Sequence, residues 1–435
     1  MNSSLVVANI TTLVTLKPLT RAPTTARITE GDLGALRVNG SSSARSWLVI
    51  RDGKVAATGT GQLPGDAAGL PTLDARGGLV LPGLVDAHTH LVYAGSRANE
   101  FAARLAGKSY QEIAAGGGGI QASVGATRHA SDDELARLVA TRLDAMLARG
   151  TTTVETKTGY ALSVEEELRQ LRVCRRIASD RDRVLGQTLH ITCLGPHAIP
   201  PEFSGRPGGA REFADILTNQ LLPTVIRDKL ADSVDAFVER GWFEPEDVRG
   251  WFQSAIKGGL NARVHADEFA DSGAAAFAGE ISALSADHCQ QASAQGIAAM
   301  ARASTVAMLL PGTSLYSKIP YADARRFIAA GCQVGLATDH NPGSSIVDNL
   351  PLLVTVGALH CGLTPAEAIA AVTFVPARSL GLADRKGHLA EGADADFAIW
   401  PMPSTEDFVA DLGRTLPTHV AVRGKIVAGT KQGDL

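Results

Sequence analysis

Two rhythms of apolar positions alternate along the chain. Near the start, Leu5 to Ile10, Trp47 to Arg51 and Lys54 to Thr58 are short β-rich runs, and Asp52-Gly53 between the last two is a strong hairpin signal. The same character returns at Ala395 to Trp400, His419 to Arg423 and Lys425 to Val427, now with a turn at Gly424. The two ends are therefore expected to pair into one small β domain. Between them the period lengthens. Leu135, Leu138, Val139, Leu143, Met146 and Leu147 recur at helical spacing after a predicted capping box at Ser131 and Glu134, with Gly150 at the C-terminal cap. The β-branched run Thr151 to Glu155 follows, then a second predicted capping box at Ser163 and Glu166, then a strand within Val184 to Leu194. A late helix opens with Thr364-Pro365-Ala366-Glu367, proline taking the first helical position. Such alternation predicts a parallel sheet with helical crossovers. Its persistence over roughly 300 residues favours an α/β fold of the closed (β/α)8 barrel type, although an open doubly wound sheet has the same local signature. The expected organisation is a barrel over 82–385, with 1–81 and 386–435 forming a small β-sandwich domain.

Composition narrows the function. The 435 residues suit one barrel of about 250 residues plus a smaller companion. Hydrophobic residues are 45% and charged residues 20% of the chain, the profile of a soluble globular α/β protein. The formal charge of −4 offers no basic surface for nucleic acid or an anionic membrane, so a small-molecule substrate is expected. Five cysteines lie scattered without CxxC spacing, which fits reduced thiols in a cytoplasmic protein rather than a disulfide framework or a thiolate zinc site. Neither a secretory leader nor an apolar stretch of about 18 residues is visible.

In a barrel the chemistry belongs at the C-terminal ends of the strands. The apolar run Gly78 to Val85 leads into Asp86-Ala87-His88-Thr89-His90, whose histidines at i and i+2 share one face of a strand and can reach one ion. Asn261 to Val264 ends in His265-Ala266-Asp267-Glu268, and Val334 to Thr338 ends in Asp339-His340-Asn341-Pro342-Gly343-Ser344-Ser345. His88, His90, His265 and Asp339 make three imidazoles and a carboxylate, a set suited to Zn²⁺ or Fe²⁺ with an open position for water. The plain alternatives are a helix N-cap for Asp339 and a buried polar role for His265. Glu268, three residues beyond His265, is placed for general acid/base work, and His288, after Ile281 to Asp287, for orienting the water. His197, after Leu194-Gly195-Pro196, is a candidate substrate contact. Arg97 has the chemistry of a carboxylate clamp, but its spacing alone reads as a surface arginine. His340 points away from Asp339 if the strand persists. Gly116 to Gly119, with no lysine and Ser/Thr after it, reads as an active-site loop rather than a phosphate loop.

Taken in order, Pro82 to His90, Ala94 to Phe101, Gly116 to Ile120, Lys157 to Tyr160, Leu194 to Pro200, His265 to Phe269, Ala286 to His288, Leu310 to Ser314 and Ala337 to Ser345 resemble the motifs of the imidazolonepropionase family, within the amidohydrolase superfamily. The resemblance implies hydrolytic ring opening of 4-imidazolone-5-propanoate to N-formimidoyl-L-glutamate, a step of histidine degradation. It implies one divalent metal ion, Zn or Fe, held by His88, His90, His265 and Asp339. It implies substrate contacts at Arg97, Tyr160, His197, Glu268, Asn341, Gly343 and Ser344, with Glu268, His288 and Asp339 in catalysis, and a homodimer. Departures from the family pattern are Thr158, Ala161, Pro196 and His340. Lys157 alone would also suit a carboxylated lysine bridging two metals; the resemblance makes it a supporting residue of a one-metal site. The rival is another mononuclear amidohydrolase, such as a formimidoylglutamate or nucleobase deaminase, against which Arg97, Tyr160 and Asn341 to Ser345 speak.

Overall fold

Eight short parallel strands stand at the centre of the molecule, in a computed structural model that describes residues 3–37, 45–108, 112 and 118–430. They are β1 (Leu84–Asp86), β2 (Thr151–Lys157), β3 (Thr188–Cys193), β4 (Ser233–Val234, resuming at Phe237–Val238), β5 (Asn261–Ala266), β6 (Ser285–His288), β7 (Val306–Leu309) and β8 (Val334–Leu336). Each pairs with the next in chain order. The ring closes just past β1 and β8, where Thr89 bridges His340 in parallel, the Asp339 amide donates to the His88 carbonyl at 2.9 Å, and the His90 amide donates to the His340 carbonyl at 2.8 Å. Sequential order and closure make this a barrel rather than an open sheet.

The strand–helix rhythm has its expected basis. Leu135, Val139, Leu143, Met146 and Leu147 line the buried face of the helix Asp132–Ala148, and Gly150 ends it with φ of 89°. Ser131 and Ser163 accept from the amides three residues on, at 3.2 and 3.4 Å. The reciprocal carboxylate leg expected of Glu166 is absent, because that side chain pairs with Arg169 at 3.1 Å. Thr364 and Glu367 make both legs.

Chain ends meet as expected. Lys54–Thr60, Ser46–Arg51, Leu5–Ile10 and Thr72–Asp74 form a four-stranded sheet, and six strands from both ends form a second, in which Leu79–Pro82 runs antiparallel to Phe397–Trp400. Val7, Leu48 and Ile50 of the first pack with Val80, Phe397 and Ile399 of the second in one apolar core. The hairpin turn at Asp52-Gly53 has both residues at positive φ, 49° and 77°.

The run Gly78 to Val85 is two strands rather than one. Leu79–Pro82 belongs to the terminal sheet and only Leu84–Asp86 to the barrel. Gly83 is the hinge: its amide donates to the Asp396 carbonyl at 2.8 Å, and a Cβ there would lie 2.2 Å from Thr152 Oγ1. The five cysteines are buried and unbridged, and no helix among the described residues is long and apolar enough to cross a membrane.

Candidate active site

The barrel interior under its C-terminal mouth is charged where such barrels usually carry Val, Ile and Leu. Period-two alternation turns Glu155 and Lys157 of β2 inward, and Arg263 and His265 of β5. Lys157 Nζ lies 2.8 Å from Glu155, 3.0 Å from Asp235 and 3.7 Å from Asp287, and Arg263 Nη2 lies 3.1 Å from Asp287. Asp235 occupies the break in β4. Its Oδ1 accepts the amides of Ala236 and His265 at 2.7 and 3.0 Å, the latter shared with the Ala236 carbonyl at 3.1 Å, which pins the interruption against β5.

These carboxylates aim the histidines. Asp287 Oδ2 accepts from His88 Nδ1 at 2.7 Å, and Asp235 Oδ2 accepts from His265 Nδ1 at 2.9 Å. A proton held at Nδ1 leaves the lone pair at Nε2. His88 Nε2 is buried and has no hydrogen-bond partner among the described residues. It lies 3.5 Å from Asp339 Oδ1, and His90 Nε2 lies 3.3 Å from the same oxygen. Donor atoms of His88, His90 and Asp339 fall within 4.8 Å of one another, as do those of His88, His265 and His288. His88 is shared, so all four expected ligands are drawn to one place, and His288 is drawn there with them. Such an orphaned lone pair beside a carboxylate fits a metal ion, and the site can hold one. Burial, then the Lys157 charge, holds His88 well below the usual imidazole range, and burial does the same for His90. A carboxylated Lys157 is ruled out by its neighbours: a carbamate would set negative charge against Glu155 and Asp235.

Asp339 stands at φ 51° and His288 at φ 76°, a left-handed conformation uncommon for residues other than glycine, though aspartate and histidine tolerate it better than most. Thr313 donates to the second oxygen of Asp339. Glu268 lies 3.7 Å from His288. Burial, reinforced by Asp339 and Glu239, raises the Glu268 carboxyl well above its ordinary value, which favours its protonated form. Burial, with the neighbouring His265 and His90 imidazoles, pushes His288 down to about 3.

A cavity of about 550 Å³ opens over this cluster, lined by His90, His265, Glu268, His288 and Asp339 and also by Arg97, Tyr160, His197, Asn341, Gly343 and Ser344. Every expected substrate contact therefore faces it. Arg97 is nearly buried, pairs with Glu100 at 2.8 Å, and packs against Gly343, where a Cβ would come within 2.2 Å of Nη1. His197 Nδ1 donates to the Gly159 carbonyl at 3.0 Å, and its ring stacks on His90 with centroids 5.3 Å apart. Asn341 is committed to its own loop. Its amide nitrogen donates to the Asp339 carbonyl and Ser344 Oγ at 2.7 and 2.8 Å, while its oxygen accepts from Gly343 and Ser344 at 2.8 and 2.7 Å. It shapes the wall rather than offering a free polar group. His340 turns away, as expected, to within 3.2 Å of the Tyr93 hydroxyl. Of the glycine run 116–119, residues 116 and 117 lie outside the described residues, and Gly119 donates to Glu100.

Glu155, Asp235, Arg263 and Asp287 were not among the expected site residues, and Arg104, Trp242 and Lys318 line the cavity unforeseen. The available signal was charge inside buried strands.

Histidines beyond the first barrel strand, a histidine ending the fifth and an aspartate beyond the eighth, gathered so that a metal can sit among them, define a hydrolase of the amidohydrolase class. The amidohydrolase family model matches residues 243–427. Among solved structures, a 5-methylcytosine deaminase from Klebsiella pneumoniae superposes with TM-score 0.72 over 99% of both chains at 17% identity. An atrazine chlorohydrolase from Arthrobacter aurescens complexed with zinc gives TM-score 0.68 over 98% of this chain and 95% of that one, again at 17% identity. These likenesses establish the fold. At the level of sequence, the imidazolonepropionase of Cupriavidus pinatubonensis is 43% identical over 88% of this chain and 90% of its own length. That of Porphyromonas gingivalis is 41% identical over 87% and 89%. The chain belongs to the imidazolonepropionase family.

Proposed function

We propose that this site hydrolyses the ring of 4-imidazolone-5-propanoate to give N-formimidoyl-L-glutamate. The observation that carries the reading is that one cavity is lined both by Arg97, a cationic partner for a propanoate tail, and by the histidine–aspartate cluster with Glu268. His88, His90, His265 and Asp339 would hold one divalent ion, zinc or iron. Formal charge supports a single ion: Glu155, Asp235 and Asp287 outnumber Lys157 and Arg263 by one negative charge, and Asp339 makes it two.

When bound, such an ion acidifies a water and polarises a carbonyl oxygen. The chain supplies the rest. Arg97 anchors the carboxylate tail, while Gly343, Ser344, Tyr160 and His197 wall the ring. Asp339 Oδ1, with Oδ2 occupied by Thr313, takes a proton from the attacking water, and the neutral His288 beside it fixes that water's orientation. Glu268, whose carboxyl burial pushes toward the protonated form, gives its proton to the ring nitrogen as the C–N bond breaks. Asn341 acts by holding Asp339, Gly343 and Ser344 in register. A homodimer in the cytoplasm completes the reading.

The test is to incubate purified, metal-analysed protein with freshly generated imidazolone propanoate and follow loss of its ultraviolet absorbance. Metal-dependent loss is expected. No loss, together with deamination of a purine, a pyrimidine or formimidoylglutamate, overturns the proposal.

A further inference from the structure

Lys157 has no part in the steps above. It does not line the cavity, it is fully buried, and its ammonium sits between carboxylates from β2, β4 and β6. Taking an ammonium out of water costs several kcal/mol, and a barrel interior is ordinarily filled with aliphatic side chains. Packing alone therefore gives no reason for a lysine here. Geometry does. Its neighbours Asp235 and Asp287 each use the Oδ2 atom nearest Nζ to accept from an imidazole Nδ1, that of His265 and that of His88. One ammonium thus fixes both aspartates that aim two of the proposed metal-binding imidazoles.

We infer that Lys157 is a positioning residue for the metal centre, holding the orientation and tautomer of His265 and His88 through Asp235 and Asp287. The inference rests on the reading that these imidazoles hold a metal. The two arms are unequal. Asp287 has a second cation in Arg263, which is itself tied to the carbonyls of Ser379 and Ala87 at 2.7 and 2.8 Å. Lys157 is the one cation that contacts Asp235 among the described residues. Loss of Lys157 therefore falls mainly on His265. Burial works against charge on Lys157, yet Glu155 and Asp235 keep its ammonium charged.

The experiment measures zinc affinity by competition with a chromophoric chelator, and the visible absorption of cobalt-substituted protein, for wild type and Lys157→Met, with circular dichroism of the metal-free forms as the folding control. Removing a partner that orients a metal-bound imidazole typically costs 10- to 100-fold in metal affinity, and a loss of about that size is expected with an altered cobalt spectrum. A role confined to holding the fold would lower the melting temperature and leave the folded fraction's affinity and spectrum unchanged, which would overturn the inference. The double variant Glu155→Gln/Lys157→Met removes the lysine without stranding its nearest carboxylate and is expected to show the same loss. Should neither fold, Asp235→Asn decides, since it keeps the ammonium paired with Glu155 but breaks its path to His265; unchanged affinity there overturns the inference. Wild-type protein that takes up no ion would overturn the metal reading as well, whereas a variant that matches a metal-binding wild type overturns only the role of Lys157.

Discussion

Replacing Gly343 by alanine tests the placement of Arg97 with one methyl group. The new Cβ would lie 2.2 Å from Nη1, 2.7 Å from Cζ and 3.1 Å from Nη2 of Arg97. The guanidinium must withdraw by about 1 Å to reach ordinary contact distance. It is not free to do so at no cost, because Nη2 is paired with Glu100 at 2.8 Å and Glu100 is held by the Gly119 amide at 3.0 Å. Gly343 is not among the residues at positive φ, so alanine fits the backbone, and the lost chain flexibility contributes about 0.4–1 kcal/mol in favour of folding. The damage therefore goes to the arginine tip rather than to the fold. A misplaced hydrogen bond to a carboxylate forfeits about 1.5–3 kcal/mol, or roughly 10- to 100-fold. That loss should appear in KM, with kcat changed much less, because Glu268, His288 and Asp339 are untouched. Steady-state kinetics on imidazolone propanoate reads both. Arg97→Met should produce a loss at least as large, and Gly343→Ala should add little in that background. A KM within twofold of wild type for Gly343→Ala, or losses that simply add, would refute the placement.

Glu268→Gln should lower kcat by about 100- to 10,000-fold with bound metal unchanged. Since burial raises the Glu268 pKa and the protonated form is the active one, activity is present below that raised value and lost as pH climbs through it; the Gln variant's residual rate should lack this basic limb. Thr313→Val strips the hydroxyl that Asp339 accepts and should reduce metal affinity or turnover about 10-fold or more, read by chelator competition and kinetics. Dialysis against a chelator should abolish turnover, and adding back zinc or iron separately, with metal analysis, identifies the ion.

The barrel and the principal candidate ligands were legible because their signals are local. His88 and His90 are two residues apart, Glu268 follows His265 by three, and the Asp339 to Ser345 segment is continuous. What was hidden is tertiary. Gly78 to Val85 reads as one strand because both halves are apolar and buried; only the partners at Phe397–Trp400 and Thr151 reveal the split. Asp235 sits in a strand of two short pieces, too brief for any period to show. The charged layer takes members from β2, β5 and β6 and the break in β4, and its sequence trace is a few charges inside strands, Glu155 and Lys157 in Thr151–Lys157, Arg263 in Asn261–Ala266 and Asp287 in Ser285–His288. Arg97 looks like a surface residue until Gly343, more than two hundred positions away, is seen beneath it. Asn341 shows the opposite limit: the motif marks it as important, but only the structure reveals that its amide is fully used by its own loop.

The most direct test of the central claim follows the atoms. Turnover of imidazolone propanoate in ¹⁸O-labelled water, with mass spectrometry of the product and an ammonia assay, should yield N-formimidoyl-L-glutamate carrying one ¹⁸O in its new carboxylate and no ammonia. Unlabelled carboxylate, or ammonia released in step with substrate loss, would contradict hydrolytic ring opening at this site.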